Sequence, residues 1–247
     1  MQLKVVTWNM SHWQKRRSAQ AAWSYLLDDL APDIALVQEA VPLVENEFTL
    51  WREIPGKGGW GTGIVTRGLP ISEFKLEHES HPGATVVGEV ALPGGATLTA
   101  ISIYGVLEYA TATTRGKSEG YATTSMQRML SDLTFLFDGW YGRRSIVMGG
   151  DTNVTTQLPP PWTAHHQAVV DRIAAFGLVD CLGLFHEGHV QTQRHPRSKV
   201  PWQNDYLYVD RRLARTVIRC DPVDDDAVWL FSQHCPVVLS LEVPGPS

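Results

Sequence analysis

Apolar positions along the chain recur with two different periods, and the switches between them mark its elements. Leu3 to Trp8 is a short apolar, β-branched run, and from Gln14 to Leu30 the residues Ala19, Ala22, Trp23, Leu26, Leu27 and Leu30 fall at helical spacing. A strand is expected first and a helix second. Pro32 stops that helix, and Ile34 to Val37 returns as a continuous apolar run of the buried-strand type. From Gly61 to Tyr104 only strand signals appear: Gly63 to Thr66, Ile71 to Leu76, Thr85 to Leu92 and Thr97 to Tyr104, with Gly94-Gly95 marking a hairpin between the last two. Such a meander is antiparallel. A polar loop from Gly105 to Thr123 leads to a helix from Thr124 to Trp140, with Met126, Met129, Leu130, Leu133 and Phe137 on one face, and then to the buried strand Ser145 to Met148. In the final third, Ala164 to Phe176 reads as a helix, and Tyr206 to Val209, Thr216 to Arg219, Ala227 to Phe231 and Val237 to Val243 read as strands.

Composition narrows this picture. The chain has 247 residues, 43% hydrophobic and 19% charged, which suits one α/β domain over residues 1–247 with two β-rich halves; no internal repeat or low-complexity tract is visible. A net charge of −5 gives no global attraction to nucleic acid or to an anionic membrane, so any polyanion site must be local. Cys181, Cys220 and Cys235 are odd in number and lack CxxC or CxH spacing, which argues against a disulfide framework or a zinc site. The first residues lack the pattern of a secretory signal, and no segment reaches the ~20 apolar residues that span a bilayer. A cytoplasmic monomer with no membrane partner is expected.

The polar residues with chemical potential sit just beyond the apolar strands: Asn9, Glu39, Tyr104, Asp151, Asn153, Asp205 and His234. Taken singly, each has an ordinary explanation as a turn former, a capping carboxylate or a structural imidazole. Together they converge on one rim of a sheet, where function concentrates. The set is hard oxygen donors plus one imidazole, which suits Mg²⁺, Mn²⁺ or Ca²⁺ rather than Zn²⁺.

The order Thr7-Trp8-Asn9, Gln38-Glu39, Tyr104, Gly150-Asp151-Thr152-Asn153, Asn204-Asp205-Tyr206 and Ser232-Gln233-His234-Cys235-Pro236-Val237 resembles the endonuclease/exonuclease/phosphatase superfamily, DNase I-like and exonuclease III-like enzymes among them. The resemblance spans nearly the whole chain. It implies a four-layer α/β sandwich, two mixed sheets face to face with helices outside, and a hydrolase that depends on Mg²⁺ or Mn²⁺. By the same resemblance Glu39 is the principal metal ligand and Asn9 a ligand or phosphate-orienting amide. Asp151 aligns or deprotonates the attacking water, and Asn153 and Tyr104 donate to phosphate oxygens. His234 is the general acid/base, held by Asp205 through its other ring nitrogen. Gln233 stands where the superfamily motif Ser-Asp-His has its Asp. A neutral amide there removes a charge beside the cation but leaves an oxygen ligand.

Substrate class must come from the loops. Gln191 to Trp202 brings Arg194, Arg197, Lys199 and Trp202 to the approach to Asp205, and resembles the Arg-Ser-Lys and Trp segment of AP-endonuclease relatives. Lys15, Arg16 and Arg17, together with Arg115 and Lys117, add basic groups, while Trp13 and Trp162 offer faces for base stacking. A solvated basic face with core tryptophans is the bland alternative. The expectation is a nuclease with nucleic acid as partner, DNA ahead of RNA. A phosphomonoesterase or phospholipase of the same superfamily is the alternative, as is a catalytically weak nucleic-acid or partner-binding member suggested by Gln233.

Overall fold

The computed structural model describes residues 1–42, 49–109, 120–138 and 144–243. Two six-stranded mixed sheets pack face to face. The first contains β1 (Gln2–Asn9), β2 (Ile34–Ala40), β3 (Thr49–Glu53), β4 (Gly61–Thr66), β13 (Val217–Pro222) and β14 (Val237–Glu242), in the order β13-β14-β1-β2-β4-β3. The second contains β5 (Ile71–Glu73), β6 (Thr85–Ala91), β7 (Thr97–Ile103), β10 (Ser145–Asp151), β11 (Leu178–Asp180) and β12 (Asp205–Asp210), in the order β11-β12-β10-β7-β6-β5. Each sheet has one parallel pair at its centre, β1 with β2 and β7 with β10, and antiparallel pairing elsewhere. A short ladder of β8 (Glu108–Tyr109) and β9 (Gly120–Tyr121) stands apart.

The pleat explains the layers. On β1, Leu3 and Val5 face the second sheet while Val6 and Trp8 face outward, and β2, β7, β10, β12 and β14 alternate in the same way. The inward set (Leu3, Val5, Ile34, Leu36, Leu98, Ala100, Val147, Leu207, Val209, Leu239) forms the inter-sheet core. Outside the first sheet, Val6, Trp8, Ala35 and Val37 pack on α2 (Ala19–Ser24) and on Val228 of α6 (Asp226–Phe231). Outside the second, Ile101, Ile103, Ile146 and Met148 pack on α3 (Thr123–Asp132), α4 (Thr134–Phe137) and α5 (Trp162–Ala175). The result is the expected DNase I-like four-layer sandwich.

The inward columns change character along the strands. Above the aliphatic floor come Thr7, Gln38 and Ser102, all fully buried, with Gln38 Nε2 donating across the sheets to Ser102 Oγ at 2.9 Å. Above these lie Asn9, Asp151 and Asp205. Thus the same period of two that fills the core delivers the polar groups to one end of it. Gly149 and Gly150 make the approach possible: a Cβ on Gly149 would meet Leu207 Cδ2 at 2.6 Å, and one on Gly150 would meet the Ile103 carbonyl oxygen at 1.7 Å.

Several local expectations need correction. Ala227 to Phe231 is helical as part of α6, because Asp225 caps it by accepting the Ala227 N–H at 2.8 Å and a short apolar run does not distinguish helix from strand. The first helix is broken: α1 (His12–Lys15), a 3₁₀ turn at Arg16–Ser18, α2, and a wider-wound π turn at Tyr25–Leu30 that ends at left-handed Ala31, one residue before Pro32. The Thr124 to Trp140 helix divides into α3 and α4 and ends at Phe137, and the strand expected from Ile71 to Leu76 stops at Glu73. Strands β3 and β11, both at sheet edges, carried too little alternation to be read. Residues 110–119 of the polar loop lie outside the described residues.

Gly150→Ala must displace the Ile103 backbone, so it is expected to destabilise the fold by about 2 to 4 kcal/mol, whereas exposed Ser72→Ala should change stability by less than ~0.5 kcal/mol. Urea denaturation of both variants, with the midpoint shift read at constant slope, checks this.

Candidate active site

Two central strands from each sheet end at one cleft. Asn9 closes β1, Glu39 lies near the end of β2, Tyr104 follows β7 and Asp151 closes β10. Asp205 opens β12 directly opposite Asp151 in the antiparallel register, and His234 precedes β14. A cavity of about 790 Å³ opens onto Glu39, Tyr104, Asp151, Asn153, Gln233 and His234.

Backbone irregularities aim two of these side chains. The β2–β4 register slips between Val37 and Ala40, and Glu39 takes a left-handed φ of 46°, so the bulge turns a side chain that regular alternation would point away from Gln38's face. Asn153 has φ 49°, which brings its Nδ2 to the Gly105 carbonyl at 2.9 Å and to Asp151 Oδ2 at 3.2 Å, while its backbone N–H donates to Asp151 Oδ1 at 2.9 Å.

Asn9 links the two carboxylates. Its Nδ2 donates to Asp151 Oδ2 at 2.8 Å and to Glu39 Oε1 at 3.2 Å. The Ser11 backbone N–H, which can only donate, takes Asn9 Oδ1 at 2.9 Å and so determines which way the amide faces. Asn9 presents an N–H to both carboxylates and turns its oxygen towards the Ser11 N–H, so it spaces Glu39 from Asp151. Tyr104 and Trp13 also hydrogen-bond Glu39, and Tyr104 is seated edge-on against Trp60.

His234 bridges the sheets. Its carbonyl accepts from Trp8 Nε1 at 2.8 Å, its Nδ1 lies 2.8 Å from Asp205 Oδ2, and its Nε2 lies 3.8 Å from Asp151 Oδ2. Ser232 Oγ receives the His234 N–H at 3.0 Å and donates to the Asn9 carbonyl at 2.6 Å, tying the entry of β14 to the end of β1.

Burial and charge act against each other in this cluster. Burial raises Glu39, opposed by the positive field of His234 and by the Asn9, Tyr104 and Trp13 hydrogen bonds. Burial, with Asp205 and Glu39 beside it, raises Asp151 to about 7. For His234 burial favours the neutral ring, but the carboxylates of Asp205, Asp151 and Glu39 override it and raise the group to about 9. Three buried carboxylates face one imidazole, so the cluster has room for a further positive charge.

The loops divide the expected substrate contacts. Arg197 lines the cleft, as do Lys57 and exposed Trp13. Arg194 does not; it pairs with Asp224 at 2.9 Å and lies 4.1 Å over the Trp229 ring. Lys199 is exposed and Trp202 half-buried, and neither lines the cleft. Trp202 contributes its carbonyl to the Thr192 and Gln193 N–H groups. Arg115 and Lys117 lie outside the described residues. Sequence reading missed Ser11, Lys57, Trp60 and Gln193 as cleft residues. The run Gly56-Lys57-Gly58-Gly59, a single cation in a glycine turn between strands, was the one legible signal among them.

No family model and no curated protein matches the sequence. Solved structures do. An AP endonuclease from Leishmania major shares 18% identity at TM-score 0.72, covering 98% of this chain and 88% of that one. An AP endonuclease from Archaeoglobus fulgidus shares 20% identity at TM-score 0.69 over 98% of this chain and 100% of that one. The 3′ phosphatase NExo from Neisseria, solved with a product DNA hairpin, shares 18% identity at TM-score 0.65 over the same proportions, 98% and 100%. The fold is therefore the DNase I-like sandwich.

The raised Asp151 carries a stability consequence. With a folded value near 7 against an ordinary 3.8, the carboxyl binds a proton on folding across that window, so the metal-free protein loses stability as pH rises through it. Asp151→Asn removes the part of the dependence that Asp151 carries. In EDTA it should melt several degrees above the wild type at about pH 8, with the gap closing towards about pH 5. Thermal melts at the two pH values measure this.

Proposed function

We propose that the chain is a divalent-metal-dependent phosphodiesterase of the endonuclease/exonuclease/phosphatase superfamily, acting on nucleic acid with DNA ahead of RNA. The observation that carries this is the Asp205–His234 pair set against Asp151 and Glu39 at the mouth of a DNase I-like sandwich. The similar structures are AP endonucleases and a 3′ phosphatase bound to DNA, which supports the substrate class. The 3′ phosphatase also keeps the phosphomonoester reading as the alternative.

The donor set fits a hard cation. Glu39 and Asp151 share the cleft with the Gln233 side chain, all offering oxygen, and one Asp205 carboxylate oxygen is buried without a hydrogen-bond partner. Asp151, Asp205 and His234 also place ligand atoms within 4.8 Å of one another, but the Asp205–His234 hydrogen bond already engages two of the three. Glu39 is therefore the principal holder of Mg²⁺ or Mn²⁺, with Gln233 and the Asp151 carboxylate beside it. When bound, the ion supplies Lewis-acid polarisation of the phosphoryl group and offsets charge on its oxygens.

The residues of the chain supply the rest. Asp151 accepts the proton of the attacking water as the new oxygen–phosphorus bond forms. The ester bond opposite breaks, and His234 Nε2 gives its proton to the departing oxygen. Asp205, at Nδ1, keeps the ring oriented and stabilises its charged form. Asn153 and Tyr104, both on the cleft, are the donors assigned to the phosphate oxygens in exchange for their present partners, and Arg197 and Lys57 are assigned to the flanking backbone.

Hydrolysis of plasmid, abasic, single-stranded and RNA substrates, inositol phosphates and an aryl phosphodiester should vanish in EDTA and return with Mg²⁺ or Mn²⁺. Glu39→Ala should abolish it in every metal. His234→Ala should lower turnover by roughly two to four powers of ten with little change in metal affinity, whereas Gln233→Asp should tighten Mg²⁺ in a calorimetric titration. Full activity of metal-free protein overturns the reading; selective activity on phosphomonoesters selects the alternative. Arg197→Ala with Lys57→Ala should weaken polynucleotide binding and flatten its salt dependence while sparing a small aryl phosphodiester.

A further inference from the structure

The His234 ring is gripped at both edges, and Asp205 accounts for only one of them. Nε2, the nitrogen facing the cleft, lies 3.2 Å from Gln193 Nε2, and Gln193 Oε1 accepts from Asn204 Nδ2 at 2.6 Å. Asn204 precedes Asp205 in the chain, so the contacts close a circuit from Asp205 through His234 and Gln193 to Asn204. The backbone supports the same circuit. Gln193 bridges Trp202 on one side and His234 on the other, and Thr192 Oγ1 accepts both the Asn204 N–H at 3.0 Å and the Asp205 N–H at 3.1 Å. Asn204 is only 8% exposed, and its Oδ1 is buried without a hydrogen-bond partner.

We propose that Gln193 is a positioning residue for His234 and works as one half of an amide pair with Asn204. This rests on the reading above, in which Nε2 gives up and regains a proton. One hydrogen bond at Nδ1 leaves the ring free to swing about its attachment to the chain; a second at Nε2 fixes its plane towards the substrate. The other groups facing the ring, Asp205, Asp151 and Glu39, are carboxylates that can accept but not donate when ionised. A carboxamide can do either. The Gln193 carboxamide faces Nε2 and its Oε1 is held by Asn204 Nδ2, so the amide pair fixes the cleft edge of the ring as Asp205 fixes the other.

The ¹⁵N resonances of the His234 ring, read beside steady-state kinetics on whichever phosphoester the wild type hydrolyses, test the proposal. Gln193→Met keeps length and loses both hydrogen-bonding groups. It should move the Nε2 resonance and lower kcat by about ten- to a hundredfold, with KM within about twofold of wild type. Asn204→Leu, which does not touch the ring, should reproduce both changes, and the double variant should be no worse than either single one. Gln193→Glu keeps the length and an acceptor but loses the donor at Nε2, so it should also move the Nε2 resonance while lowering kcat less than Gln193→Met does. An unmoved Nε2 resonance in Gln193→Met overturns the proposal, as does a raised KM with unchanged kcat, which would make Gln193 a substrate contact. If Gln193→Met does not fold, Gln193→Glu and Asn204→Leu decide by the same resonances. Should the wild type hydrolyse none of the phosphoesters, the functional reading fails while the ring resonances still judge the amide pair.

Discussion

Asp151 and Asp205 stand directly opposite each other on neighbouring antiparallel strands, both directed into the space between the sheets and both almost wholly buried. Like charges in that relation are destabilising, and burial adds to the cost. His234 resolves the conflict from the other sheet, with one ring nitrogen on each carboxylate. Much else serves to hold that imidazole: Trp8 Nε1 on its carbonyl, Ser232 on its N–H, and Gln193 on its outer nitrogen. The sheets can meet at this end because an ion pair links them where the aliphatic core stops.

The two sheets solve the same problem twice. Each runs through two antiparallel neighbours to a central parallel pair and out through two more. Parallel strands point their carboxyl ends the same way, so β1 and β2 deliver Asn9 and Glu39 together, as β7 and β10 deliver Tyr104 and Asp151. The repetition is one of topology alone, since no repeat is visible in the amino-acid sequence. It explains how residues from six separate segments come to share one cleft, where Ser11, Glu39 and Asn153 are the left-handed non-glycine residues among the described ones.

The cleft rim distinguishes contacts that brace from contacts that remain available. Arg194, held by Asp224 and lying on Trp229, braces the loop carrying Gln193, and its N–H donates to the Gln233 carbonyl at 2.8 Å. Arg197, a few residues on, is exposed at the cleft. Lys57, in its glycine turn, lines the same cleft. A locally basic mouth is compatible with a net acidic chain because screening limits attraction to groups within about 10 Å.

Periodicity in the sequence determined most of the core, since period two and period 3.6 follow from backbone geometry and need only nearby residues to be recognised. The central strands, the α2, α3 and α5 faces and the Gly94-Gly95 hairpin were legible for that reason. So was the set Asn9, Glu39, Tyr104, Asp151, Asn153, Asp205 and His234, because each stands at or beside the end of an apolar run in a recognisable order. Tertiary structure alone decided the rest. Edge strands β3 and β11 are strands because a neighbour offers hydrogen bonds, and α6 is a helix because Asp225 caps it and Val228 finds a buried seat. Arg194 braces rather than faces the cleft because Trp229 lies beneath it. Gln193 meets His234 only through a bridge between segments 41 residues apart. Such pairings depend on which distant groups the fold brings within hydrogen-bond reach, and nothing in the local pattern of a glutamine records that.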